Sequence, residues 1–387
     1  MPEKQYDILI CGAGLAGLSL LYRAMQEGVW TGMDILVVDR SSKQENDKTW
    51  SFWKKGQGPF DALVYHQWQN LFFYTHAGGQ IPLQTDGYTY NSIRSIDFYT
   101  HVLAYLKTFP NIRFIEAEIV SLKSGAKFCE LISSKGRFQA TYLFNSIYQK
   151  PALAVDAQYF LQHFKGWKIK TSAAIPALTD AYLMDFRTGQ EQGTTFFYTL
   201  PMAKDELFVE YTLFSKTLLP MDQYAEKLKL YIKEVLHIEA YEVREEEFGV
   251  IPMTDHPFPR FDGNIVNIGT LGGDTRASTG YTFTNVQKTV TQILQQFRLD
   301  GTPFFSKENI GLKTQLYDTT LLNVLAGRQY EGHQLFADLF TKSRASLIFA
   351  FLDAETSVFQ DIGVMKSLKI MPFLQAFTKA LSRRLLR

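Results

Sequence analysis

The chain has 387 residues, carries 40 basic against 39 acidic side chains for a formal charge of +1, and is 14% aromatic. That length allows two or more domains, and the charge balance argues against nucleic acid as the main partner. Two cysteines, Cys11 and Cys129, exclude a disulfide framework and a cysteine-rich zinc site, and fit a reducing compartment.

The first stretch organises the rest. Ile8 to Ile10 predicts a short buried strand, followed by a Gly-x-Gly-x-x-Gly turn at Gly12, Gly14 and Gly17 and a helix over Leu15 to Glu27. The first glycine permits the turn, the second lets backbone approach a pyrophosphate, and the third lets helix and strand pack closely. The phosphates would meet the helix N-terminus. A second apolar run, Ile35 to Val38, ends in Asp39, where an acid accepts from the adenosine ribose. Arg40 beside it is a further cofactor-binding candidate. Cys11 reads as a small apolar filler. No secretory signal is expected, and no run is long enough to cross a bilayer.

A polar loop leads to Thr49-Trp50-Ser51-Phe52-Trp53, read either as an interface plug or as a cavity wall. Strands are predicted over Val64–Thr75, Gln80–Leu83 and Tyr88–Ile93, forming a small sheet. Arg94 opens a helix over Asp97–Phe109 and is either a pyrophosphate ligand or a solvated surface arginine. A strand over Ile112–Ile119, a hairpin of Cys129–Ser133 and Arg137–Ala140, and a buried strand over Tyr142–Ile147 follow. Further strands are read at Ile169–Ile175, Thr194–Thr199 and Leu207–Phe214, with an amphipathic helix over Tyr224–Leu236. In the third of these strands, Phe208 and Glu210 stand two apart, and on one strand face they would point the same way.

Asn264–Gly269 predicts another buried strand. It runs into a second glycine-rich loop, Thr270 to Tyr281, and a helix over Tyr281–Leu299. Gly272, Gly273, Thr279 and Gly280 are the cofactor candidates of this loop, since its N–H groups suit an anion or a polar ring. Two such loops fit an extended FAD better than NAD. Residues 304–387 read as helices. Beyond Gly363 stand Lys366, Lys369, Lys379, Arg383, Arg384 and Arg387, with no Asp or Glu. That pattern fits a membrane-surface element and equally a packed helix with a solvated basic face. The seven histidines are scattered, with no His-x-x-x-His pair, so no metal is expected.

Several of these stretches together resemble the flavoprotein-type lycopene cyclases. They are Gly12–Ser19, Asp47–Trp53, Tyr90–Ser95, Phe208–Thr212, Gly249–Met253 and Gly272–Phe283. The resemblance implies FAD in its reduced form, NAD(P)H as reductant, and lycopene or a related linear carotenoid as substrate. It implies protonation of a ψ end group, closure of the resulting cation to a six-membered ring, and proton loss to a β ring, with no net redox change. The family's essential glutamate falls on Glu210, the catalytic candidate. Trp50, Trp53 and Phe208 are the substrate-binding candidates. Where the family motif carries a second acid, this chain has Tyr211.

The expected fold is mixed α/β: a Rossmann-like FAD-binding domain, an antiparallel substrate-binding sheet and a C-terminal helical region. The expected boundaries are 1–60, 97–150 and 248–300 for the first, 61–96 and 151–247 for the second, and 301–387 for the third. The expected location is cytoplasmic, peripherally associated with membrane lipid. An FAD-dependent isoprenoid reductase or hydroxylase is the alternative function, and a non-catalytic carotenoid carrier a more distant one.

Overall fold

The computed structural model describes residues 5–172, 175 and 179–385. β1 (Gln5–Cys11) enters the first glycine turn, α1 (Leu15–Gln26) leaves it and β2 (Ile35–Asp39) returns alongside. Ile8 and Ile10 face one core, Leu9 and Cys11 another, and all four are fully buried. A parallel strand covered on both faces reads as an unbroken apolar run. Burial also pushes the Cys11 thiol pKa up, as suits an inert filler.

Next come β3 (Thr49–Lys54), β4 (His66–Trp68), β5 (Leu71–Tyr74), β6 (Gln80–Pro82), β7 (Thr89–Arg94) and α2 (Ser95–Leu106). The strand expected over Val64–Thr75 is two strands. β4 pairs with β7 in a three-stranded sheet with β3, while β5 joins a different sheet beside β6. The two halves stay close: the Trp68 indole donates to the carbonyl of Pro201 in the second sheet at 2.8 Å, and Phe73 stacks on Phe340.

β8 (Ile112–Glu116), β9 (Ile119–Ser124), β10 (Cys129–Ser133) and β11 (Gly136–Asn145) follow. The expected hairpin is present. The separate strand expected over Tyr142–Ile147 is the far half of β11, which runs on from the hairpin to lie parallel to β1. Then come β12 (Tyr159–Thr171), β13 (Ala181–Asp185), β14 (Thr194–Ala203), β15 (Glu206–Ser215), α3 (Met221–Glu234) and β16 (Tyr241–Thr254). Residues 173 and 174, inside the strand expected to reach Ile175, lie outside the described residues. β17 (Phe261–Asp262) and β18 (Ile265–Asn267) close the β part. The helices are α4 (Phe283–Asp300), α5 (Leu312–Gly327), α6 (Gly332–Lys342), α7 (Ala345–Leu352), α8 (Val358–Met365) and α9 (Ile370–Leu385).

The first sheet has the order β17-β18-β11-β1-β2-β8, extended by β10 and β9, with α1 packed on α4 and α2. The second has the order β16-β12-β15-β14-β13-β5-β6. Residues 248–254 belong to this second sheet as the end of β16, not to the dinucleotide part where the boundary was expected. The strand cannot be cut there, because it pairs with β12 from Tyr241 to Thr254.

One face of the second sheet is sealed by α3. Val209, Tyr211 and Leu213 of β15 pack there with Tyr224, Leu228 and Ile232. The other face carries Phe196, Tyr198 and Phe214 against the C-terminal helices. Those helices therefore cover the second sheet's other face, fastened by polar contacts. The Trp53 indole donates to Asp353 at 2.8 Å. Arg276 donates to Asp318 at 2.9 Å and to the Leu352 carbonyl.

A buried ion pair contributes little net stability, but removing one partner strands a charge. Arg276 and Asp318 side chains are 3% and 4% exposed. Arg276→Ala is expected to cost about 3–5 kcal/mol, read as a fall in the urea midpoint, with Arg276→Lys intermediate. A midpoint equal to the parent's would mean that Asp318 does not depend on Arg276.

Candidate active site

The first glycine turn has the three features a pyrophosphate needs. Gly12 holds φ +96°, a value that L side chains rarely adopt. A Cβ on Gly17 would collide with the Gly12 carbonyl, so helix and turn meet only because that atom is missing. A Cβ on Gly14 would instead project into open space, the place where the phosphates would lie. No side chain caps the first turn of α1, so its leading N–H groups are free for an anion. Asp39 stands at the mouth: it accepts from the Ala13 N–H at 2.7 Å and from the Ser41 N–H at 2.8 Å. Arg40 is exposed beside it.

The late loop is held rigid from beneath. Asp274 accepts from Arg260 at 2.8 Å, from the Gly269 N–H at 2.7 Å and from the Thr289 hydroxyl at 2.7 Å. Gly269 lies against Ala16 of α1, which sets this loop beside the glycine turn. Gly272 leaves no room for a side chain, and Gly273 is left-handed at φ +79°. Thr279 lines the substrate-side cavity, and Gly280 packs on Gln162. The Gln162 Oε1 atom is buried without a hydrogen-bond partner among the described residues. It leaves acceptor capacity for the polar edge of a bound ring.

Arg94 sits at the start of α2. It donates to both Asp97 oxygens, at 2.7 and 2.9 Å, and its guanidinium lies 4.0 Å from the Tyr65 ring centroid. The two tryptophans part company because β3 alternates its faces. Trp50 packs edge-on against Phe98 and Tyr99 of α2, on the dinucleotide side. Trp53 lines the cavity, with Phe349 stacked at 5.0 Å and Tyr281 at 4.2 Å.

That cavity measures ≈ 430 Å³ and is walled mainly by aromatic and aliphatic side chains. It lies between the open face of the second sheet, the late loop and helices α5 to α9. Its volume falls in the ordinary range for small-molecule sites. Tyr198 and Tyr281 line it, and their hydroxyls lie 3.4 Å apart. Tyr281 also meets the Tyr90 hydroxyl at 3.0 Å.

Glu210 is next to this tyrosine cluster rather than in the cavity wall. Alternation along β15 puts Phe208, Glu210 and Thr212 on the face opposite Tyr211. Glu210 is directly across from Tyr198 on β14 and from Gly166 on β12, and beyond Gly166 stands Glu247 of β16. The Phe208 ring covers the spot where a Cβ on Gly166 would stand. The row Tyr198, Glu210, Gly166, Glu247 thus puts two carboxylates on one face, two strand spacings or roughly 10 Å apart at the backbone. The carboxyl beside Glu210 in this row, where Tyr211 follows it in sequence, is on a distant strand. Only the pairing register reveals it.

Glu210 is half-buried. Burial pushes its pKa up to about 8; the Thr212 hydroxyl, donating at 2.6 Å, draws it down, and Glu247 pushes it up. Burial also raises Glu247, which accepts from the Thr49 N–H at 3.0 Å. Tyr90, Tyr198 and Tyr281 are all raised, first by burial, so their hydroxyls stay protonated donors. Sequence reading did not single out Tyr90, Tyr198, Tyr281, Gly166 or Glu247. The available signals were a glycine in the middle of a strand and the positions of Tyr90 and Tyr281 inside the quoted motifs.

Comparison with solved structures defines the class. A geranylgeranyl bacteriochlorophyll reductase-like protein from Thermoplasma acidophilum aligns over 98% of this chain and 97% of its own, with a TM-score of 0.58 at 12% identity. A flavoprotein/dehydrogenase from Cytophaga hutchinsonii aligns over 98% and 100%, with a TM-score of 0.58 at 11% identity. A variant of the halogenase PltM in complex with FAD aligns over 98% and 92%, with a TM-score of 0.57 at 11% identity. The fold is therefore the mixed α/β fold of reductase-like and related flavoproteins. Within it, the family described as lycopene cyclase protein matches residues 7–378, and the chain belongs to that family. A chloroplastic neoxanthin synthase from Solanum lycopersicum is 35% identical over 309 residues, 72% of this chain and 58% of that protein. The match thus spans less than two thirds of that relative's length.

The Glu210 environment makes a direct prediction. Thr212→Val removes the hydrogen bond that lowers its pKa, so the carboxyl titration should move up from about 8. Glu247→Gln removes the repulsion and should move it down. The pH dependence of the protonated carboxyl band in infrared difference spectra reads both. Shifts of the opposite sign would mean that another carboxyl is being observed.

Proposed function

We propose that the protein is a lycopene β-cyclase that uses FAD, with Glu210 as the acid. The observation that carries this reading is a carboxyl, Glu210, set across from Tyr198 beside an aromatic-lined cavity, in a chain of the lycopene cyclase family. An alkene is a very weak base, so its protonation requires a positioned acid and an environment that tolerates the cation. With its pKa near 8, Glu210 holds its proton at neutral pH.

A ψ end group that reaches past the cavity wall to the tyrosine cluster meets Glu210, which donates that proton to its terminal double bond, leaving a tertiary cation and a carboxylate. In the apolar interior the two attract strongly. The rings of Trp53, Tyr198 and Tyr281 present electron-rich faces to the cavity. The internal double bond attacks the cation and closes the six-membered ring. Loss of a ring proton to the Glu210 carboxylate forms the β ring and restores the acid, so atoms and electrons balance without net oxidation. Gly12, Gly14, Gly17 and Asp39 would hold the dinucleotide, and the late loop with Gln162 would face its ring system. When bound and kept reduced by NAD(P)H, FAD would offer an electron-rich ring able to stabilise a neighbouring cation. The substrate is lycopene or a related linear carotene, and the product carries the substrate's mass.

Two variants test this reading. Glu210→Gln should keep the fold and the flavin while losing about 10²–10⁴-fold in cyclisation. In the parent, activity should fall as pH rises past about 8, because the acid form is lost. The assay is conversion of lycopene by flavin-loaded protein with NADPH, with products resolved by chromatography and mass. A product two hydrogens or one oxygen heavier would replace the cyclase with the reductase or hydroxylase reading. Gly14→Val should abolish flavin binding, since its side chain would enter the phosphate space; a parental flavin absorbance in the purified variant would remove the site.

A further inference from the structure

Helices α8 and α9 carry exposed large apolar side chains close together. Phe359 is 88% exposed, Ile370 71%, Met371 61% and Leu374 51%. Isolated surface apolar residues are ordinary, but a contiguous group marks an interaction site. Here contiguity follows from the cavity. Ile362, Ile370 and Leu374 are exposed and also line it, so the cavity reaches the surface between these two helices and the apolar residues ring its mouth.

The surroundings are cationic. Lys366 is exposed at the same mouth, and Lys369 and Lys379 are exposed along the segment. No acidic residue follows Asp361, which is itself fully buried and paired with Lys313. The basic end expected at Lys379 to Arg387 is only partly available. Arg383 is turned inward to Asp156 and Asp255, and Leu386 and Arg387 lie outside the described residues. No helix among the described residues is long and apolar enough to cross a membrane.

We propose that α8 and α9 form a docking collar that seats on an anionic lipid bilayer and opens the cavity directly into its hydrocarbon. Exposed apolar side chains with Lys366 at the mouth, and Lys369 and Lys379 on the same exposed segment, match the two layers of such a surface, acyl chains within and anionic headgroups at the rim. The proposal rests on the hydrocarbon-substrate reading for its purpose. A carotene dissolved in lipid then enters through the mouth without crossing water and meets Trp53, Tyr198 and Tyr281 at the inner end.

The test uses full-length protein and vesicles of phosphatidylcholine with or without phosphatidylglycerol. Phe359 and Met371 are exposed but do not line the cavity. The double variant Phe359→Asp/Met371→Asp should co-sediment with phosphatidylglycerol vesicles at least tenfold less than the parent. Leu299→Asp, a remote position 79% exposed, should bind like the parent. Conversion of lycopene presented in those vesicles should fall with binding in the double variant, while conversion of detergent-dispersed lycopene should not. Binding lost with no conversion by any protein in either medium would uphold the collar and overturn the cyclase reading. Undiminished vesicle binding by the double variant would overturn the collar. So would a parent that dimerises through this face, becomes monomeric in the variant and binds no vesicles.

Discussion

The loop from Gly269 to Tyr281 is the constraint on which the two halves of the molecule depend. It emerges from β18 in the first sheet and ends against the second. Two buried ion pairs anchor its middle, only one residue apart: Asp274 with Arg260, and Arg276 with Asp318. From that anchored centre, Gly269 at one end lies on α1 and Tyr281 at the other reaches Tyr90 and Tyr198. Ionic groups buried this deeply are poor sources of net stability. Their value here is positional. They set the distance between the nucleotide turn and the aromatic cavity, which no continuous core spans, because the apolar residues of the two sides form separate clusters.

The surroundings of Glu210 depend on one missing side chain. Gly166 is in the middle of a long strand, where glycine forgoes packing. Its missing Cβ admits the Phe208 ring, and Glu210 and Glu247 stand in register on either side of it. A larger residue at 166 would displace Phe208 and crowd both carboxyls. The Thr212 hydroxyl is the direct hydrogen-bond donor to Glu210, so the group is oriented without being strongly acidified. An arginine in its place would hold the carboxyl ionised and leave no proton to give.

Much of this was legible in the sequence where the signal is local. The β-α-β unit follows from periodicity and spacing, with Gly12 at positive φ, Gly17 packed on the turn and Asp39 at the end of β2. The face of Glu210 follows from strand alternation once β15 is located. What escaped depends on non-local pairing. Nothing in Val64–Thr75 says that its halves serve different sheets, since both are aromatic and both are strands. Trp50 and Trp53 look equivalent in one aromatic cluster, yet strand alternation sends them to opposite sides. Glu247 reads as one of three consecutive acids, Glu245 to Glu247, and only the register against Gly166 makes it a partner of Glu210. The C-terminal helices were legible as helices, but their role as a cavity wall rests on contacts such as Trp53 with Asp353, three hundred residues apart.

The same burial that keeps Glu210 protonated makes it a liability for the fold. Its ordinary value is 4.5, and in the folded protein it is about 8. Between those values the unfolded chain has released the proton and the folded chain has kept it. The folded state therefore binds more protons, and stability falls as pH rises through that window. Above about 8 the folded protein must carry a buried carboxylate with another carboxyl, Glu247, facing it. This is the reverse of a salt-bridged acid, whose contribution is lost on acidification. A group retained against its own folding cost is the mark of a site shaped for chemistry rather than stability. In the proposed cyclisation, a cation formed beside the ionised Glu210 would supply the countercharge that the protein itself leaves out, so the carboxylate would be best stabilised at the moment the proton has moved.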